Sequence, residues 1–63
     1  DLPVYELDLQ RVKAFYSGLS TSERRMKLAE GFYRVYAEGG FLGIGRYDAV
    51  SREMYPAKVF PPV

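Results

Sequence analysis

Sixty-three residues make one small domain, and a chain of this length buries only about 60% of the surface its unfolded form exposes. There is no Cys to form a disulfide or a thiolate metal site, and no His to serve as metal ligand or general base. Nine basic against eight acidic side chains leave a net charge of +1, which neither points to nucleic acid nor excludes it, and no apolar run approaches the roughly 20 residues of a membrane span.

What remains to hold the fold is packing, and six Tyr with four Phe supply it. The chain opens with Asp and carries no leader-like segment, which reads as residues 1–63 of a larger cytoplasmic protein, cut out as one domain.

In chain order, Pro3 biases Leu2 away from helix, and Val4, Tyr5 and Leu7 suit a short edge strand. Asp8 is a candidate N-cap. Leu9, Val12, Phe15, Tyr16 and Leu19 then recur at helical spacing, with Gly18 placed to stop the helix. This predicts about three turns of helix over 9–17, lying across an open end of a sheet. Residues 20–27, STSERRMK, lack apolar periodicity and read as a loop. Arg24, Arg25 and Lys27 make that loop the one local basic cluster.

The stretch 31–47, GFYRVYAEGGFLGIGRY, is the centre of the chain. Two aromatic and β-branched runs, 32–36 and 41–47, flank a Gly-Gly pair, which predicts a hairpin with Gly31 as a turn residue before it. Tyr33 and Val35 alternate with Phe32, Arg34 and Tyr36, so one set should face a core and the other a wetter surface. Gly43 and Gly45 break that alternation and predict a bulge, a bend or a close backbone approach rather than a phosphate cradle, because no helix follows them. Residues 48–53 are a second turn. Residues 54–60 are a last strand, confined by Pro56 to an edge or to a bulge. The expected fold is mainly β (α+β): a small pseudo-barrel of about four strands with one short helix, in the order β-α-β-β-β.

Catalytic chemistry has little to draw on. The hydroxyls of Ser17, Ser20, Thr21, Ser22 and Ser51 have no His to activate them, and the carboxylates are dispersed among turns and element ends, where caps and turn bonds explain them. The expectation is a non-enzymatic chain with no cofactor and no metal. Arg24, Arg25 and Lys27 are either a solvated loop or a phosphate-contacting one. Arg34 and Arg46, outward on the central strands beside Tyr36 and Tyr47, suit stacked single-stranded RNA if those rings are exposed, and are snorkelling core neighbours if they are not.

Leu2-Pro3, a helix ending at Gly18, GFYRVY at 31–36, GFLGIG at 40–45 and PAKVF at 56–60 together resemble the C-terminal region of the bacterial tRNA pseudouridine synthase B (TruB) family over nearly the whole chain. The resemblance implies a PUA-like fold and a role as the RNA-binding accessory domain of an enzyme that isomerises a tRNA uridine. Its partners would then be tRNA and the catalytic domain of the same parent chain, with no membrane involved. The family's catalytic aspartate belongs to the larger upstream domain, and no residue here matches its motif. Two departures stand out: Arg46 occupies a position that is often acidic in the family, and Glu30-Gly31 replaces a Pro-Gly pair.

On this basis the candidate RNA-binding residues are Arg24, Arg25, Lys27, Gly31 and Arg46. The rival expectation is a structural domain whose rings pack on the catalytic domain with little RNA contact. A free-standing SH3-like barrel for Pro-rich peptides is a third.

Overall fold

A computed structural model describes residues 1–24 and 26–60. It shows a mostly β domain with one four-stranded mixed sheet and one short helix. The strands β1 (Val4–Glu6), β2 (Gly31–Ala37), β3 (Gly40–Asp48) and β4 (Glu53–Val59) lie side by side in sequence order. β1 runs parallel to β2, whereas β2–β3 and β3–β4 are antiparallel. A parallel pair needs a long crossover, and the segment between β1 and β2, which carries the helix, supplies it.

The helix is shorter than its apolar spacing predicts. Arg11 N–H donates to the Asp8 carbonyl and Asp8 Oδ1 caps Gln10 N–H, so the first turn is a 3₁₀ turn over Leu9–Arg11, and only Val12–Tyr16 (α1) is α-helical. Leu9 and Leu19, expected on the buried face, are exposed; Phe15 is the side chain that α1 buries, with Val12 and Tyr16 packed alongside. The end of the helix is as expected from Gly18. Leu19 N–H donates to the Ala14 carbonyl and Gly18 N–H to that of Phe15, the paired bonds of a Schellman stop.

The central hairpin has a two-residue turn, Glu38-Gly39, with Ala37 paired to Gly40. Both turn residues have positive φ, +49° at Glu38 and +78° at Gly39, the geometry whose twist matches that of the flanking strands. Glu38 is a poor choice for this conformation, and Asn tolerates it best among non-glycine residues. Glu38→Asn is therefore expected to stabilise the chain by about 0.5–1 kcal/mol in chemical denaturation. An unchanged or lower midpoint would argue against the turn.

Both glycine signals in β3 mark irregular pairing. The β2–β3 register shifts between Val35 and Tyr36, and Gly43 lies beside it. The β3–β4 register shifts between Ile44 and Gly45, where Lys58 and Pro56 are the partners and Ala57 is the extra residue. Pro56 thus sits at a bulge, one of the two positions open to it. These bends curl the sheet around Val35, Tyr47, Met54 and Phe15, all almost completely buried. Burying side chains of this size contributes roughly 1.5–3 kcal/mol each.

Alternation along β2 is as the sequence indicates: Tyr33, Val35 and Ala37 face the core, while Phe32, Arg34 and Tyr36 face outward. The loop between α1 and β2 departs from expectation. Thr21 forms a two-bond bridge with Met54 (2.9 and 2.8 Å), extending the sheet past β4, and Met26 is buried in the core. Two inward tyrosines tie the loop across the core, Tyr33 Oη donating to the Ala29 carbonyl (2.6 Å) and Tyr47 Oη to that of Met26 (3.0 Å). Tyr47, whose ring the sequence leaves open between a stacking surface and the core, is thereby a core residue at 2% exposure. Among the described residues no helix is long and apolar enough to cross a membrane.

Candidate nucleic-acid interface

Three arginines from three separate segments line one open groove of about 380 Å³: Arg11 at the end of the 3₁₀ turn, Arg24 in the crossover loop and Arg52 in the β3–β4 turn. The contacts that assemble them can be followed bond by bond. The Thr21–Met54 bridge and the Ser20 hydroxyl, which donates to the Glu53 carboxylate, lay the loop along the start of β4, next to Arg52. Glu23 then accepts from the Tyr5 hydroxyl and from Asp8 N–H (2.8 Å), bringing Arg24 to the corner that leads into Arg11. Arg52 is held at φ +60° with its N–H on the Asp48 carbonyl (2.7 Å). Ser22 and Glu23 complete the wall, with buried Met26 beneath.

The groove is therefore lined by three arginines and one glutamate, and that carboxylate already accepts two hydrogen bonds from the protein. Guanidinium forks match phosphate oxygens in shape and charge, so the arrangement suits a polyanion.

The residues expected to bind RNA are divided between two sides of the sheet. Arg24 lines the groove, and Lys27 is exposed in the same loop. Arg25 lies outside the described residues. Gly31 opens β2, paired with Tyr47, and has open space where a side chain would project. Arg46 is on the other side: its neighbour Tyr47 points into the core, while Arg46 points outward with its guanidinium 5.7 Å from the centre of the Tyr55 ring. Glu30, which could have repelled phosphate, is tied down as the acceptor for Ala49 N–H (3.2 Å).

Sequence reading missed Arg11 and Arg52. Arg11 has only Lys13 close by in sequence and reads as the wet side of a helix, Arg52 stands alone in a turn, and the Thr21 bridge and the Glu23 bonds bring them to Arg24. No local pattern encodes that.

The outward face of the sheet is ordered in rows. Phe32, Arg46 and Tyr55 are paired across β2, β3 and β4, and so are Arg34, Ile44 and Lys58 in the next row. A third row holds Tyr36 and Phe41 with ring centres 5.3 Å apart, and Phe60 stacks on Phe41 at 5.5 Å. Comparison of the chain with protein-family models finds no match, and neither does comparison with curated proteins. The likeness to the synthase tail therefore rests on the residues that carry it.

Proposed function

We propose that this chain is an RNA-binding accessory domain of the kind the TruB-like tRNA pseudouridine synthases carry, a PUA-like module that holds tRNA while a separate catalytic domain of the same cytoplasmic protein isomerises the uridine. The observation that carries the proposal is the convergence of Arg11, Arg24 and Arg52 on one groove. Arg24, Arg25 and Lys27 contact phosphates from the crossover loop, Gly31 leaves room for the backbone of the ligand at the start of β2, and Arg46 adds positive charge on the opposite side. The chain contributes positioning rather than bond chemistry. Five of its eight side-chain carboxylates serve as structural acceptors: Asp8 caps the 3₁₀ turn, Asp48 accepts from Val50 and Ser51 N–H in its own turn, and Glu23, Glu30 and Glu53 hold loops together.

The test is titration of tRNA into the chain at low and physiological salt. Binding should weaken steeply as salt rises, because each neutralised phosphate releases counterions. Changing Arg11, Arg24 and Arg52 together to Ala should reduce the log–log salt slope by about 1 per arginine that contacts phosphate. The companion triple change of Arg24, Arg25 and Lys27 should flatten it comparably. A folded chain that fails to bind tRNA at low salt overturns the proposal, as does binding whose salt slope ignores both triple changes.

A further inference from the structure

The outward sheet face carries more than one stray cation. Strand pairing puts Phe32, Arg46 and Tyr55 in one line, with Arg46 over the Tyr55 ring, and places Arg34 and Lys58 in the adjacent line on either side of Ile44. Lys58 Nζ is 5.5 Å from the centre of the Phe60 ring, which continues the Tyr36–Phe41 pair. Rows on a strand face are separated by about 7 Å. Rings and cations thus alternate along β2 (Phe32, Arg34, Tyr36), along β4 and the residue after it (Tyr55, Lys58, Phe60), and across the first row, with Ile44 at the centre of the second row and rings alone in the third.

The rings are exposed rather than sunk. Phe32 is 49% exposed and Phe41 41%, with Phe60 and Tyr55 close behind, although a domain this small has few large apolar groups to spare for its surface. Three cations share the face with Glu6, opposite Tyr36, while the paired Asp48 and Glu53 flank the first row with carboxylates that already accept from the Val50 and Ser51 N–H groups and from the Ser20 hydroxyl. Arg34 Nε donates to the Leu2 carbonyl (2.9 Å), which fixes its guanidinium at the edge of the rows. Charge complementarity therefore selects an anionic occupant, and the rings select one with flat faces to stack.

We infer that this face is a stacking platform for single-stranded nucleic acid, with bases laid on Phe32, on the Arg46–Tyr55 pair and on the Phe41–Phe60 pair, and with phosphates met by Arg34, Arg46 and Lys58. The inference rests on the nucleic-acid reading of the domain but uses a surface separate from the arginine groove. Stacking on rings is indifferent to base identity, since every base has a π-face, so the platform is sequence-tolerant. It prefers unpaired segments, because a duplex keeps its base faces covered.

A labelled octauridylate is the probe, with a perfect RNA duplex as comparator and tRNA as the control for the groove. Phe32→Leu and Tyr55→Leu keep apolar bulk on the sheet but remove the aromatic face. Each should weaken octauridylate binding about ten-fold and leave its salt slope unchanged. Arg46→Ala and Lys58→Ala should instead flatten the slope by about 0.7 each. Circular dichroism checks that each variant is folded, and Phe32→Tyr, which restores a ring, should restore affinity.

Octauridylate affinity that ignores both Leu changes overturns the platform, as does duplex bound as tightly as single strand. If tRNA binding through the groove survives in either case, the proposed function stands without it. Loss of self-association in sedimentation, with RNA binding unchanged in the same Leu variants, would assign the face to a second copy of the chain. Failure of the unmodified folded chain to bind either RNA at low salt removes both readings.

Discussion

Gly43→Ala is expected to unfold the chain. Gly43 has φ +152°, a conformation that side-chain-bearing residues rarely adopt, and a methyl group built there would lie 2.1 Å from the Lys58 carbonyl oxygen and 3.0 Å from Val59 Cα. Both obstacles are backbone of β4, so no rotamer change relieves the clash. The strand must move, and the register across Gly43–Val59 and Ile44–Lys58 moves with it. Strain of this kind, added to a displaced core strand, costs about 4 kcal/mol or more. A single core in a chain below about 70 residues rarely supplies more than 3–5 kcal/mol in total. Thermal and urea melts followed by circular dichroism should therefore show no folded baseline for the variant. Gly40→Ala is the control, because its added methyl would meet only the Ala37 carbonyl at an ordinary 3.5 Å. A cooperative melt for Gly43→Ala near that of the unmodified chain would mean that β3 and β4 do not approach as described.

That close approach explains which parts of the structure were legible in the sequence. The GxG in β3 announced an irregular strand, Pro56 announced where β4 must bulge, and Ala37 to Gly40 announced the hairpin. Each is a local requirement, met by a residue type that few others can replace. Alternation along β2 was legible for the same reason: a strand with one wet face must repeat every two residues.

The failures are non-local. Residues 20–27 have no period because they do not form one regular element; Thr21 completes a sheet edge and Met26 fills a gap in the core, with polar residues between them. Leu9 and Leu19 fit a helical stripe by spacing, yet the stripe is only as wide as the surface it covers, and α1 is too short to bury its flanks. Tyr47 next to Arg46 was ambiguous because the glycines interrupt the count of two, and the hydroxyl that suits a wet surface instead finds the Met26 carbonyl inside. The candidate site was half legible. The loop arginines stand out in the sequence, whereas Arg11 and Arg52 reach the groove only through folds of the chain that tertiary bonds impose.

Glu23→Ala tests those bonds and has an informative sign. The four-stranded sheet has two edges, β1 and β4, and one loop reaches both: Thr21 pairs with Met54 of β4, and two residues later Glu23 accepts from the Tyr5 hydroxyl of β1 and from Asp8 N–H just beyond it. The carboxylate therefore closes an open sheet into a pseudo-barrel. Removing it takes the acceptor from both donors, one of them on a tyrosine that is 7% exposed, and charge-assisted bonds of this kind contribute about 2–3 kcal/mol together once partial exposure is allowed for. Urea denaturation should show that loss for Glu23→Ala and a smaller one for Glu23→Gln, whose amide oxygen still accepts. The effect on RNA binding then separates two accounts. If charge alone governed the groove, deleting a carboxylate from among three arginines would tighten binding to tRNA. If Glu23 acts as the clasp that sets Arg24 beside Arg11 and Arg52, Glu23→Ala should weaken tRNA binding several-fold under conditions where the chain is still folded, and Glu23→Gln should retain most of it despite losing the same charge. Tighter binding by both variants would show that the groove needs no clasp and would leave Glu23 a purely structural residue.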